Sequence, residues 1–414
     1  MTKITGYPKS IITITILITS IILLTQCMEK NDAETVVTQT DFTKYSGSAA
    51  CVNCHEDIYD AHIKTAHFLT STAPLEKHIK GSFETGKNVF AYNANASVAM
   101  EKRQDGLYQV QYENGIEKKA RQFGMVVGSG TKGQSFLHWQ DDLLFQMPIT
   151  YFTAASEWSN SPGFPPKPIF NRVITSRCLE CHSTYAETIP GGEKQPDRFD
   201  KNRILLGVDC EKCHGPAAEH VDFQTKHPSD SIGKFILNPD NFSRQQKLDL
   251  CALCHGGRLQ KTKPSFSFTA GEKLSDFFVL DTTAPDPENI DVHGNQYGLM
   301  RASACYKKST DLTCNSCHSS HENEKGETAL FSKKCMSCHS KEHNNFCKME
   351  QKLGSVINTN CIDCHMPVKP SKAIAVFLPG EKAPTAAMIR SHFISINPSL
   401  TNIMIRELEK NKRR

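Results

Sequence analysis

The chain has 414 residues, a formal net charge of +4 and 38% hydrophobic residues, together with 17 cysteines and 17 histidines. This length excludes a miniature disulfide scaffold, because such scaffolds are short chains without room for a core. A mean hydropathy of -0.42 excludes a polytopic membrane protein.

The N-terminal segment has the features of a secretory signal peptide. A basic start precedes an apolar run, Ile11 to Leu24, which is too short to span a bilayer comfortably. Cys27 follows in a sequence that resembles a lipobox, although Gln26 replaces the usual small residue. We therefore expect a lipoprotein-type signal peptide over 1–26 and lipidation at Cys27, with a plain membrane-retained anchor or ordinary secretion as the alternatives. The polar residues 27–47 are typical of a flexible tether.

One pattern, Cys-X-X-Cys-His, occurs seven times and contains 14 of the 17 cysteines. Numbered one to seven in chain order, the motifs contain the cysteine pairs Cys51 and Cys54, Cys178 and Cys181, Cys210 and Cys213, Cys251 and Cys254, Cys314 and Cys317, Cys335 and Cys338, and Cys361 and Cys364. The histidines that follow them are His55, His182, His214, His255, His318, His339 and His365.

The spacing within each motif suits covalent attachment of haem. Two thiols three positions apart can reach the two vinyl groups of one porphyrin, and the adjacent imidazole then lies below the iron as its proximal ligand. Zinc sites built from Cys-X-X-Cys pairs need two pairs each, so seven copies would leave one over. Neither zinc nor a disulfide framework explains a histidine at one fixed offset. The motifs therefore predict seven covalently attached haem c groups.

A different kind of sequence separates motifs one and two. Apolar and alternating stretches over Ala96 to Arg103 and Leu107 to Tyr112 are punctuated by Asp105-Gly106 and Asn114-Gly115, which are hairpin turn signals. We predict a small antiparallel β insert over 88–168, ending in a proline-dense crossing segment.

The predicted fold class is a mainly α and irregular multihaem cytochrome, with a haem-packed core and this β insert. The first haem segment is predicted over 48–87 and a six-haem cytochrome domain over 169–400, formed by short helices and long loops. Residues 401–414 are predicted to be a solvated, charged tail.

The sequences around the motifs extend the pattern. They comprise Cys51–His55 with the downstream His62 and His67, Ser161–Phe164, Arg177–Ser183, Gly207–His220, Cys314–His321 and Cys361–Pro367. As a set they resemble the extracytoplasmic multihaem cytochrome family related to cytochrome c-554, from about Ser48 to the C-terminal region. The resemblance implies closely packed, mostly bis-histidine haems that pass electrons, in proteins associated with respiration or inorganic nitrogen chemistry.

Ten histidines lie outside the motifs, and the resemblance favours six of them as distal iron ligands. These six are His67, His220, His293, His321, His343 and His392. Because His321 follows His318 by three residues, we expect the two to serve neighbouring haems. The weaker candidates are His62, His78, His138 and His227. Six distal ligands for seven irons would leave one haem five-coordinate.

Two function classes follow. The first is an electron carrier that acts between redox partner proteins or a quinol-linked membrane complex, on the periplasmic side of a bacterial membrane or at the cell surface. The second is a reductase or oxidase of a small nitrogen or sulfur compound at one open haem. All seven motifs end in histidine, whereas related nitrite reductases mark the catalytic haem by lysine, so we favour the carrier. No basic run suggests nucleic acid. Cys305 and Cys347 are either a disulfide or two free thiols.

Overall fold

The computed structural model describes residues 41–192, 195–280 and 294–412, which belong to one compact unit. The predicted signal peptide, Cys27, most of the predicted tether and His293 lie outside the described residues.

The helices are short, and most of them carry a motif or directly follow one. In chain order the helices of the described residues are α1 (Ser48–Cys51), α2 (Glu56–His62), α3 (Ser176–His182), α4 (Cys210–His214), α5 (Ala218–Lys226), α6 (Arg244–His255), α7 (Gln296–Ala302), α8 (Ala304–Lys308), α9 (Thr328–Met336), α10 (Glu350–Leu353), α11 (Ile362–His365) and α12 (Pro398–Lys412). The helix that carries motif four, α6, begins with a capping box in which Ser243 and Gln246 satisfy each other's backbone amides.

Two antiparallel sheets occupy the region between motifs one and two. The four-stranded sheet contains β2 (Val89–Ala91), β3 (Ala96–Arg103), β4 (Gly106–Glu113) and β5 (Ile116–Gln122). The seven-stranded sheet contains β1 (Ser71–Thr72), β6 (Met125–Val127), β7 (Gly133–Gln140), β8 (Leu143–Gln146), β9 (Ile149–Phe152), β10 (Glu157–Asn160) and β11 (Arg172–Val173). Asn114 and Gly115 have φ angles of 51° and 76°, the left-handed conformation that a tight hairpin turn requires. The strands predicted for the insert are therefore present, while its predicted boundaries stay predictions.

Antiparallel pairing also occurs beyond the insert. Three two-stranded sheets pair β12 (Ser183–Ile189) with β13 (Arg198–Leu206), β14 (Gln260–Lys261) with β15 (Phe278–Val279), and β16 (Val368–Val376) with β17 (Thr385–Arg390). The described residues are roughly 31% helix and 25% strand, so they contain more sheet than the predicted mainly α class.

The insert has an apolar core of its own and is joined to motif two by a second one. Val98 of β3, Phe136 of β7 and Ile149 of β9 are completely buried in the first core, because alternate residues of each strand face the same side. In the second core, Leu144 of β8 packs with Leu179 of α3, which lies between the two cysteines of motif two. The sheets thereby fix the position of that motif.

The ends of the described chain differ from the sequence prediction. Tyr45, within the predicted tether, stacks on Tyr185 with ring centroids 4.8 Å apart, and the amides of Ser46 and Gly47 donate to the carboxylate of Glu211 at 2.8 and 2.9 Å. Residues 41–47 are therefore held against the body by aromatic packing and charge-assisted hydrogen bonds.

The predicted charged tail is likewise ordered. Its residues up to Lys412 belong to α12, whose Met404 places its sulfur 3.8 Å from the thiol of Cys364 in motif seven. A polar exposed face is compatible with such an amphipathic helix, so charge alone did not distinguish a helix from a solvated tail.

Gly207 is a position where the backbone requires glycine. Its φ is +72°, and a Cβ atom there would clash with the carbonyl oxygen of Phe68. We expect Gly207→Ala to lower the free energy of unfolding by about 1–2 kcal/mol for the left-handed backbone and by a further ~1–3 kcal/mol for the clash. Gly47→Ala is the matched control, because Gly47 has the same φ but nothing within 4 Å. Equal losses in denaturant unfolding of the two variants would contradict the prediction.

Candidate haem-binding site

Each motif lies on a helical turn that ends at its histidine. Four motif histidines are the last residues of α3, α4, α6 and α11. In the other three motifs the histidine amide donates to the carbonyl of the first cysteine at 2.9 Å, as His55 does to Cys51. A spacing of three and four residues puts the two thiols and the imidazole on one side of the turn. The seven motifs therefore share one local geometry.

All seven motif histidines line a single cavity of about 3310 Å³. Twelve of the 14 motif cysteines also line it, all except Cys54 and Cys178. A site for one small ligand usually occupies about 300–1,000 Å³, so this cavity has room for several large ones. Five further histidines reach the cavity wall, and these are His62, His67, His220, His321 and His392.

Three motif histidines face a second histidine across this cavity. The ring centroids of His214 and His321 are 6.1 Å apart, and those of His255 and His67 are 6.2 Å apart. His318 and His392 have the same 6.2 Å separation. An imidazole nitrogen typically lies about 2 Å from the metal it binds, which places two nitrogens on opposite sides of one metal about 4 Å apart. The centroid of each ring lies farther from the metal than the binding nitrogen does, so two centroids are farther apart than the two nitrogens. The observed separations therefore fit one iron between the two rings of each pair.

Burial favours the neutral form of His67 and His392. Burial, and then the neighbouring His255, lowers the pKa of His67 to about 4. Burial, and then the neighbouring His318, lowers the pKa of His392 to about 4. Neutral imidazole is the form that binds a metal, so these rings are in the required protonation state near pH 7.

Backbone carbonyls orient other imidazoles. The Nδ1 atoms of His214 and His220 donate to the carbonyls of Leu237 and Lys234, each at 2.8 Å. His365 donates in the same way to the carbonyl of Ser395 at 2.9 Å. Donation from Nδ1 leaves Nε2 as the free acceptor, and such outer contacts are typical of metal-binding histidines.

Thiols of different motifs meet in pairs. Cysteine side chains of different motifs lie close enough to interact, joining motifs one and three, two and four, four and five, and six and seven, namely Cys51 with Cys210, Cys181 with Cys254, Cys251 with Cys314, and Cys335 with Cys361. Motif four thus contacts two other motifs. The attachment points are neighbours in space although many residues separate them in sequence.

A buried ion pair ties motif two to motif four. Glu180, 1% exposed, receives a hydrogen bond from Arg177 at 2.8 Å and one from the amide of Phe266 at 2.7 Å. Arg177 also donates to the carbonyl of Leu253, inside motif four, at 2.6 Å. Both oxygens of the Glu180 carboxylate therefore accept a hydrogen bond, as a buried charge requires.

The predicted distal candidates are therefore distributed unevenly. Three of them, His67, His321 and His392, stand opposite motif histidines, and His220 lies on the cavity wall. His343 lies beyond the residues that line the cavity, with its Nδ1 3.2 Å from the carbonyl oxygen of Cys338 in the adjacent motif.

His62 is one of the weaker candidates in the sequence, and in the structure it lies close to His321. This residue is 7% exposed and lines the cavity, with its ring centroid 6.3 Å from that of His321. Its Nδ1 lies 3.3 Å from the carbonyl oxygen of Ser320 and its Nε2 lies 3.5 Å from a carboxylate oxygen of Asp209. The sequence signal for His62 is that it follows motif one closely. In the structure it is the last residue of α2.

His138 has a structural role in the insert. It is 1% exposed, donates from Nε2 to the carbonyl of Phe170 at 2.8 Å and stacks on Phe145. We expect His138→Ala to lower the free energy of unfolding by about 2–4 kcal/mol, because it leaves a cavity in a packed core. Denaturant unfolding measures this loss, while haem content and the electron paramagnetic resonance (EPR) spectrum should match those of wild type. Replacing the exposed His227 by alanine is the control, and a changed spectrum in the His138 variant would contradict a structural role.

The remaining sequence candidates have simpler outcomes. Cys305 and Cys347 are both free thiols at the cavity wall, so the structure has no bridge between them. No group of three or more metal-binding side chains gathers at one point within the described ranges. Over the same ranges no helix has the length and apolar character needed to cross a membrane.

Comparison with known proteins finds two similarities. Residues 166–215 match the family described as cytochrome c554 and c-prime. The fold is similar to that in the crystal structure of the outer cell wall cytochrome OcwA, with a TM-score of 0.54 and 17% sequence identity over 85% of this chain and 80% of that chain. No curated protein matches.

Proposed function

We propose that this chain is an extracytoplasmic heptahaem c-type cytochrome that transfers electrons between respiratory partners. The similarity of residues 166–215 to cytochromes c554 and c-prime and the fold similarity to a cytochrome support electron transfer at a general level. The observation that carries the proposal is the cavity, because all seven motif histidines line the same space.

The residues of the motifs would hold seven haem c groups, each through two cysteine thioethers and one histidine. A haem iron that exchanges one electron between its ferric and ferrous states supplies the redox chemistry. His67, His321 and His392 would supply a second imidazole to the irons of motifs four, three and five, because each faces the corresponding motif histidine.

The chain's own contribution to electron transfer is to hold the attachment points close together. The contacts between thiols connect motifs one and three, two, four and five, and six and seven. Histidine pairs, rather than histidine with methionine, favour low reduction potentials. Redox partner proteins or a quinol-linked membrane complex would exchange electrons with this array.

Mass spectrometry and potentiometry test the proposal together. Intact protein matured in a host competent for c-type attachment should carry seven covalent haems, and spectropotentiometry should show reversible reduction over a broad, low range of potentials. A holoprotein that consistently carries five or fewer haems would overturn the heptahaem proposal. Reversible cycling without ligand turnover would support the carrier function.

One observation favours a second candidate function, a reductase or oxidase of a small nitrogen or sulfur compound. His343 is hydrogen-bonded to the backbone of motif six itself, at Cys338, so this sequence candidate lies apart from the cavity wall. An iron held by His339 would then be one place to look for an open coordination position. Carbon monoxide, nitrite and hydroxylamine titrations of the reduced protein distinguish the two functions, because rapid ligand binding with turnover would favour the enzyme.

We also propose that Cys27 carries a lipid that anchors the protein outside the cytoplasm. The apolar run before Cys27 supports this, and the fold similarity to an outer cell wall cytochrome supports an extracytoplasmic location. Cys27→Ser should move the mature protein from the membrane fraction to the soluble fraction, as measured by immunoblotting of fractionated cells. Continued retention of this variant would indicate an uncleaved N-terminal anchor or a tightly bound partner.

A further inference from the structure

A partly buried ion pair holds the backbone on both sides of one motif histidine. The side chains of Glu324 and Lys334 are 7% and 25% exposed and hydrogen-bond to each other. Lys334 also donates to the carbonyl of Cys317 at 3.0 Å, and the amide of Ser319 donates to Glu324 at 2.9 Å. The pair therefore fixes the peptide groups immediately before and after His318.

Helix α9 adds a contact to the ring of this histidine. Phe331 lies on α9 one turn before Lys334, and its ring meets that of His318 edge-on at 5.3 Å. The same helix continues into motif six through Cys335. One short helix therefore supplies both the cation of the ion pair and the aromatic ring that limits rotation of the imidazole.

The held loop also contains a second histidine that faces another motif. The amide of His321 donates to the hydroxyl of Ser319 at 3.3 Å, and the amide of the same serine is bound by Glu324. His321 faces His214 of motif three, whereas His318 faces His392. The loop thus places one imidazole in each of two neighbouring histidine pairs.

Burying such a pair contributes little net stability, because desolvation of the two charges offsets their attraction. What the pair does supply is fixed geometry, since charge-assisted hydrogen bonds are short and strong. We infer that Glu324 and Lys334 are positioning residues that set the orientation of two iron ligands, His318 and His321, at the same time. This inference rests on the proposed haem-binding function.

The test uses the full-length, haem-loaded protein and reads the ligands directly. In Glu324→Gln and Lys334→Met we expect unchanged haem content by intact mass, but shifted low-spin EPR signals and shifted midpoint potentials for two haems. Glu84→Gln and Lys87→Met are the matched controls, because that pair is 73% and 71% exposed. Wild-type spectra and potentials in the Glu324 and Lys334 variants would overturn the inference.

A charge-swapped variant separates positioning from simple charge balance. Glu324→Lys combined with Lys334→Glu restores an ion pair, but a lysine cannot accept from the Ser319 amide and a carboxylate cannot donate to the Cys317 carbonyl. We expect the altered spectra to persist in this variant, and restored spectra would overturn the inference. Lys334→Arg keeps a hydrogen-bond donor and should retain the wild-type EPR spectrum. This variant tests the inference even if Lys334→Met fails to accumulate. A wild-type protein that does not carry the proposed haems would instead count against the proposed function.

Discussion

Replacing His67 by alanine is expected to convert one haem from low-spin to high-spin iron while leaving all seven haems attached. His67 faces His255 at 6.2 Å, and burial keeps both imidazoles neutral. Its removal would take one imidazole from the iron of motif four and leave the attachment cysteines, Cys251 and Cys254, unchanged. EPR of the oxidised variant measures the change, and added imidazole should restore the low-spin signal by occupying the vacated position.

The matched control for this variant is His227→Ala. His227 is exposed, stacks on Phe223 with centroids 4.3 Å apart and lies away from the cavity wall, so its loss should leave the spectrum unchanged. A low-spin spectrum equal to wild type in the His67 variant, with seven haems present, would assign His67 a role other than iron ligation.

Removing motif four should have the largest effect on electron transfer. Its thiols contact those of two other motifs, through Cys254 to Cys181 and through Cys251 to Cys314. The double variant Cys251→Ala and Cys254→Ala should therefore carry six haems and lose fast electron redistribution between motifs two and five after flash photoreduction. The interior would also lose the packing that this haem provides. The free energy of unfolding should therefore fall by about 3–5 kcal/mol or more, as it does when a large buried side chain is truncated.

Motif one supplies the control for the loss of motif four. The side chain of Cys51 lies close to that of Cys210 in motif three. Cys51→Ala combined with Cys54→Ala should also carry six haems, but should retain fast redistribution among motifs two, four and five. Equal kinetic losses in the two double variants would show that the thiol contacts do not describe the order of electron transfer.

Local rules in the sequence predicted part of this architecture. The turn at Asn114 and Gly115 follows from residue types that tolerate the left-handed backbone, and the motif geometry follows from a spacing of three and four residues within one helical turn. The helix at Pro398–Lys412 was missed because charged residues suit both an exposed helical face and a solvated tail.

The histidine pairs depend on distant parts of the chain and could not be assigned from spacing. His67 meets His255, and His214 meets His321, only after the intervening helices and sheets have folded. The family resemblance selected His67, His321 and His392 as distal candidates, but it assigned none of them to a particular motif. The partner of each histidine is a tertiary property, set by packing and by backbone hydrogen bonds such as the one from His214 to Leu237.

If Cys27 carries a lipid, the docking of Tyr45, Ser46 and Gly47 on the body would limit how far motif three can lie from the membrane. The carboxylate that binds these amides, Glu211, lies between the two cysteines of motif three. Fourteen residues separate Cys27 from Phe42, where the described contacts begin. Even fully extended, they have a contour length of only about 50 Å. A lipid on Cys27 would therefore make this segment a short tether. Such a tether would keep motif three, and motif one beside it, close to an electron donor in the same membrane.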